Sequence, residues 1–303
     1  MGETIHEVNG IELCAEVRGP EDGVPLLLVM GLGAQLVSWE DDFVARLVDR
    51  NYRVARFDNR DVGRSTWFDD ADLDVMATLQ ALAAGEQVDV PYTLSDMAAD
   101  AAALLEELGM SPAHVVGASM GGMIVQAMAI EQPQVVRSVV SIMSTTGDRD
   151  VGQSTAEATA LLFGAPATTE DEALERARQA EATWGSPAHR DPEAAVARAK
   201  REWNRARNPA GIGRQIVAIN ASGSRTEALG RVTVPFTVIH GTADTLVTPT
   251  GGQRTAEAVG HAVHVEIDGM GHNLPRALWP QIMDEIDATV ERTRDVDPTL
   301  HTD

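Results

Sequence analysis

The pentapeptide Gly117-Ala118-Ser119-Met120-Gly121 sets a serine between glycines at the spacing G-x-S-x-G. The apolar run His114 to Gly117 precedes it, and Met120 to Ile130 has helical composition. A serine on a sharp strand-to-helix turn must adopt a strained backbone. Small residues two positions to either side let strand and helix pass closely. Such a turn lifts the hydroxyl above a sheet and sets it at a helix N-terminus, where developing negative charge is favoured. A hydroxyl is a poor nucleophile until a base takes its proton, so the implied chemistry is acyl transfer from Ser119 to a carbonyl substrate, assisted by a base elsewhere in the chain.

Eight histidines compete for that role. His272, in Gly269-Met270-Gly271-His272, directly follows the strand candidate Val263 to Ile267. In doubly wound sheets, ligand chemistry gathers beyond the carboxyl ends of the strands, which puts His272 and Ser119 at one edge. His261 and His264 look like a metal pair, but positions i and i+3 of a strand face opposite ways. His240 ends a strand and reads as structural, and His6, His114, His189 and His301 lack a suitable context. For the acid that fixes the imidazole tautomer, Asp244 in Gly241-Thr242-Ala243-Asp244 follows the strand Thr233 to His240. Its rivals are Asp148, beyond the preceding strand, and Asp268 on the histidine loop itself. The chain order Ser119, Asp244, His272 is that of α/β-hydrolases.

Acyl transfer also needs two backbone N–H donors for the tetrahedral oxyanion. One is expected from Met120, just after the nucleophile. The other is expected from Leu32 in Met30-Gly31-Leu32-Gly33-Ala34, where glycines let the backbone turn its N–H groups inward. This loop is no dinucleotide fingerprint, because no third glycine follows at the required spacing.

The elements that must position these groups alternate. Thr4 to Val8 and Ile11 to Val17 flank the turn dipeptide Asn9-Gly10 and read as a hairpin. Leu26 to Val29, Tyr52 to Phe57, His114 to Gly117, Val135 to Met143, Thr233 to His240 and Ala262 to Ile267 read as strands, several as continuous apolar runs suited to burial on both faces. Helices are expected over Thr93 to Leu108, with Thr93 or Ser95 as N-cap and Gly109 at the end, over Met120 to Ile130, and from Pro275 to Val290 with proline in the first turn. The fold class is therefore α/β: a mostly parallel sheet covered by helices on both faces. From Gly147 to Leu229 no strand is convincing. Glu172 to Thr183 and Ala194 to Arg207 are helical, so residues 147–229 read as a helical cap on a core of 1–146 and 230–303. The end, Thr293 to Asp303, is polar and expected to fray.

Composition bounds the partners. The chain has 303 residues, 44% of them hydrophobic, and a formal net charge of -22. It can bury a sizeable core, and its surface repels phosphate backbones and anionic lipid, against nucleic-acid or membrane partners. Lys200 is the only lysine, which leaves Schiff-base chemistry almost no candidates, and Cys14, the only cysteine, permits neither an internal disulfide nor a zinc cluster. Arginine and alanine richness suggests a GC-rich bacterial genome. MGETIHEVNG lacks the basic and apolar regions of a secretory signal, and His6 stands where myristoylation needs Ser or Thr. No run is long and apolar enough to span a bilayer. A soluble cytoplasmic protein is expected, with monomer and homodimer both open.

With these pieces in place, the chain resembles the α/β-hydrolase superfamily over nearly its full length. The residues that carry the resemblance are Met30-Gly31-Leu32-Gly33, Asp58 to Ser65, Gly117 to Gly122, Asp244 and Gly271-His272. In detail, the stretch Arg60 to Thr66 is similar to the bacterial esterase group that includes aclacinomycin methylesterase. Many relatives carry histidine where Met30 stands and glycine where Asp61 stands. Because the oxyanion donor is a backbone N–H, the first departure leaves the function intact. Arg60 and Asp61 are expected to tie loops together near the site. The resemblance implies a carboxylic ester hydrolase acting through an acyl-enzyme on a small to medium apolar ester, without metal or organic cofactor. The pocket is expected to draw on Gly31, Met143, Trp184, Trp203 and Leu246. A cofactor-free haloperoxidase or perhydrolase uses the same triad, and a ligand-binding protein with residual turnover is the reading from another class. Dehalogenases and epoxide hydrolases carry Asp where Ser119 stands and are disfavoured.

Overall fold

The computed structural model describes residues 2–296. The chain opens with a hairpin of β1 (Thr4–Val8) and β2 (Ile11–Arg18). Asn9 and Gly10 both take positive φ, 50° and 77°, as a tight two-residue hairpin requires. β3 (Val24–Val29), α1 (Asp41–Val48), β4 (Tyr52–Phe57), α2 (Val75–Ala83), α3 (Leu94–Glu107), β5 (Ala113–Ala118), α4 (Met120–Glu131) and β6 (Val136–Ile142) follow. Five helices come next: α5 (Ala156–Leu162), α6 (Glu170–Trp184), α7 (Pro192–Arg205), α8 (Pro209–Ala221) and α9 (Thr226–Leu229). The chain then returns to the sheet with β7 (Phe236–Gly241), α10 (Thr250–Val259), β8 (Val263–Ile267) and α11 (Trp279–Val296).

The eight strands form one sheet in the order β1-β2-β4-β3-β5-β6-β7-β8. β1, β2 and β4 pair antiparallel, and every pair from β4–β3 to β7–β8 is parallel. The strand order reverses around β3, so the carboxyl ends of β3 and β5 flank a topological switch point, where such sheets open a crevice. Alternation along the strands builds two cores. Leu27, Val29, Val115 and Val139 pack with α3 and α4 residues such as Leu104, Leu105 and Ile124. Leu26, Leu28, Val116 and Val140 face the other way, onto Phe43 and Leu47 of α1 and Trp279, Ile282 and Ile286 of α11. Burying a large aliphatic or aromatic side chain contributes about 1.5–3 kcal/mol, so these layers dominate the fold's stability.

The structure departs from the sequence reading at several ends. β7 starts at Phe236 rather than Thr233, because Pro235 has no N–H for the ladder. The last helix begins at Trp279, since Arg276–Leu278 close into a tighter 3-10 turn. α11 runs on past Thr293 to Val296, and the rest of the end expected to fray, residues 297–303, lies outside those described. The segment between β6 and β7 contains no strand. Its later helices pack directly into the main core, through Ala218 of α8 and Leu229 of α9.

Candidate active site

Ser119 sits between β5 and α4 with φ 56° and ψ −119°. A non-glycine residue there costs about 1–3 kcal/mol and persists only where its surroundings impose it. Two close approaches do so. A Cβ on Gly117 would lie 2.1 Å from Gly121 O, and one on Gly121 would lie 2.0 Å from Val29 O. Only glycines let α4 fold back against β5 and β3. The tight packing fixes the turn, and the turn aims the hydroxyl above the strand ends.

Ser119 Oγ lies 2.9 Å from His272 Nε2, and His272 Nδ1 lies 2.7 Å from Asp244 Oδ2. An ionised carboxylate only accepts, so Nδ1 carries the imidazole proton and Nε2 is left to accept from the serine. The other carboxylate oxygen of Asp244 accepts the N–H groups of Leu246 and Val247, each at 2.9 Å. Burial works against the charge of Asp244, yet the His272 imidazole and bonds from His240 and His272 hold its pKa down at about 2. His240 is fully buried. Its Nε2 donates to Val247 O at 2.8 Å and lies 3.4 Å from Asp244 Oδ2, so its structural reading holds, beside the acid. Asp148 points elsewhere, accepting from Thr226 at 2.7 Å and Arg254 at 2.6 Å. Asp268 accepts from Thr242 at 3.1 Å on the surface. His261 bonds Val234 O at 3.0 Å.

The end of α6 holds both of the loops that carry this relay. His272 N–H donates to Trp184 O, and Gly271 N–H donates to Ser186 Oγ at 2.9 Å. The Ser186 hydroxyl donates to Asn273 Oδ1 at 2.6 Å, and Asn273 donates to the buried Glu181. Thr245, next to Asp244, donates to Thr183 O at 2.9 Å. Glu181, Ser186 and Asn273 carried no local sequence mark, because each partner lies on a distant segment.

Leu32 and Met120 line the same cavity as Ser119. Met120 is the first residue of α4, where an N–H has no helical acceptor. In the loop after β3, Gly33 N–H donates to Gln215 Oε1, Ala34 N–H to Gly31 O and Gln35 N–H to Glu202 Oε1. Among the described residues, Leu32 alone of the run Leu32 to Gln35 has an N–H without a protein acceptor. Asn59 steadies the loop from behind by donating to Met30 O at 3.0 Å. A Cβ on Gly31 would stand 3.0 Å from Ser119 Cβ, so a side chain there would crowd the hydroxyl.

Arg60 and Asp61 tie loops together, as expected. Arg60 makes two bonds to Asp100, at 2.6 and 2.7 Å, and Asp61 takes two from Arg214, at 2.9 and 2.8 Å, plus the Tyr92 hydroxyl at 2.6 Å. Burial opposes the charge of Asp61, but the Arg214 and Tyr92 bonds leave its pKa below the usual range.

A cavity of about 560 Å³ opens above Ser119 and His272. Gly31, Met143, Trp184 and Leu246 line it, together with Trp39, Phe163 and Ile216. Trp203 does not. It is half-buried outside the lining, with the Arg207 guanidinium 4.5 Å from its ring. The volume lies in the range usual for small-molecule pockets. Among the described residues, no three His, Cys, Asp or Glu side chains cluster as a metal site, and no helix is long and apolar enough to cross a membrane.

A mostly parallel α/β sheet with a strained serine turn at its switch point, bonded to a histidine and an aspartate beyond later strands, defines a hydrolase-type α/β architecture. A family model described as the alpha/beta hydrolase fold matches residues 24–275, and the chain belongs to that family. It is 30% identical over 293 residues to rhodomycin D methylesterase of Streptomyces peucetius, covering 88% of this chain and 91% of the relative. A shorter match, 34% over 128 residues, covers 42% of this chain and 40% of a Mycobacterium tuberculosis protein provisionally named a non-heme bromoperoxidase. Among solved structures, the esterase RhEst1 from Rhodococcus superposes with a TM-score of 0.73 at 20% identity, over 95% of this chain and all of the other.

Proposed function

We propose that this protein hydrolyses carboxylic esters through an acyl-enzyme on Ser119. The observation that carries the reading is the bonded series Ser119–His272–Asp244, at 2.9 and 2.7 Å, at the floor of an apolar cavity. His272 Nε2 takes the Ser119 proton as Oγ bonds the ester carbonyl carbon. The oxyanion accepts from the Leu32 and Met120 N–H groups, and one such donor is typically worth 10²–10³ in rate. As the tetrahedral adduct collapses, His272 returns the proton to the departing alcohol. A water then gives a proton to His272 and attacks the acyl carbon, and His272 passes that proton to Ser119 Oγ as the second adduct collapses to the free acid. Asp244 keeps the imidazole in the required tautomer throughout. No step calls on a metal or an organic cofactor.

Residues 147–229 act as a cap, with Trp184, Phe163 and Ile216 as its contribution to the pocket. An apolar ester suits this lining. Because the full-length relative is named a methylesterase, methyl esters of bulky acids are the first substrates to screen. A fluorophosphonate should label the wild type and spare Ser119→Ala, and equal labelling of both would refute the nucleophile. The bromoperoxidase-named relative favours perhydrolysis as a second reading. Peracid formation from acetate and hydrogen peroxide outrunning ester hydrolysis would select it.

A further inference from the structure

We infer that Gln215, on α8, is the positioning residue that sets the oxyanion loop, and that the cap thereby controls transition-state stabilisation; this rests on the acyl-enzyme reading above. The side chain is fully buried, and both ends of its amide are engaged. Oε1 accepts the Gly33 N–H at 2.8 Å, and Nε2 donates to Arg60 O at 2.8 Å. One planar group thus spans the loop after β3 and the Asp58-to-Ser65 loop, from a helix belonging to neither. A primary amide offers an acceptor and a donor at these two points at once, with no need of a proton from solution.

The consequence falls on Leu32. Its peptide N–H is adjacent to the one Gln215 grips, and the orientation of one peptide limits that of the next. With Gly33 held, Leu32 N–H is left turned from the protein and free for substrate. The mount is rigid as well. Arg214, the preceding residue, is bonded twice to Asp61, and the α8 cap residue Asn208 donates to Asp61 O at 3.2 Å. Gln215 lines neither the cavity nor the reacting atoms, so it acts through the backbone it holds.

The test compares wild type, Gln215→Met and Gln215→Glu on a p-nitrophenyl ester and on an aryl trifluoromethyl ketone, whose adduct places an oxyanion where the tetrahedral intermediate would. Misplacing a catalytic group by about 1 Å can cost 10²-fold, so Gln215→Met should lose roughly 10- to 100-fold in kcat with KM within about twofold. Ketone affinity should fall in step, while binding of the product acid stays unchanged. Gln215→Glu keeps the acceptor for Gly33 but sets a carboxylate against Arg60 O, so it should lie between the other two. Should Gln215→Met fail to fold, Gln215→Glu is compared with wild type alone, and an unchanged ketone affinity in that variant overturns the proposal. So does a Met variant whose KM rises while kcat and ketone affinity hold. A wild type that neither hydrolyses the ester nor binds the ketone refutes the acyl-enzyme reading instead.

Discussion

Asp244 is a buried carboxylate kept charged by its neighbours. Its carboxyl ordinarily titrates near 3.9 but is held at about 2 in the folded chain. A carboxyl depressed in this way adds stability that is complete above about pH 4 and is lost as pH falls towards 2. Asp244→Asn should therefore be destabilised relative to wild type at neutral pH, and the gap in urea-unfolding free energy should close by about pH 2. The same substitution should cut kcat by about 10³–10⁴, because it permits the wrong imidazole tautomer. Cys14 gives a second expectation. Burial, with Asp58 nearby, pushes its thiol up to about 12. An aromatic disulfide reagent at pH 8 should leave it untouched in the native protein and titrate it fully in guanidinium.

The elements divide into those that present the reacting groups and those that hold them still. β5, β7 and β8 deliver Ser119, Asp244 and His272, and this much was legible in the sequence. Each residue sits in a short, self-contained context: an apolar strand, then glycines, then a polar side chain. What clamps those loops was not legible. Gln215, Glu181, Ser186 and Asn273 are ordinary polar residues whose partners are remote in the chain, and local pattern does not encode remote pairing. Trp203 failed for a related reason. An amphipathic helix such as α7 announces that it has two faces, but not which of them the cavity lies against. α1 and α10 also escaped notice, being short helices between clearer strands. Two expectations belong at this scale. Arg214→Ala leaves the Asp61 carboxylate buried without its main partner, which costs about 3–5 kcal/mol and should be read as a fall in the urea midpoint. Asn273→Ala frees Ser186 and Glu181 without opening the core. It should lower kcat several-fold while the thermal midpoint moves by only a few degrees.

At the scale of the whole molecule, one sheet edge gathers groups that are far apart in the chain, and one inserted helical segment adds Phe163, Trp184 and Ile216 to the cavity beside them. The segment bonds to the oxyanion loop through α8 and to the acid and histidine loops through the end of α6. The net charge of -22 sets the behaviour of the exterior. Self-repulsion of that size weakens the folded state, and salt screens it over about 10 Å at 0.1 M. The thermal midpoint should therefore rise between 10 mM and 300 mM sodium chloride, and neutral esters should outpace otherwise identical anionic ones most clearly at low salt. The central claim, a covalent acyl group on one serine, is open to direct observation. Turnover of a p-nitrophenyl ester quenched in acid within milliseconds, followed by peptide mass mapping, should find the acyl mass on the peptide that contains Ser119. Steady turnover with that peptide unmodified, or undiminished hydrolysis by Ser119→Ala, would contradict it.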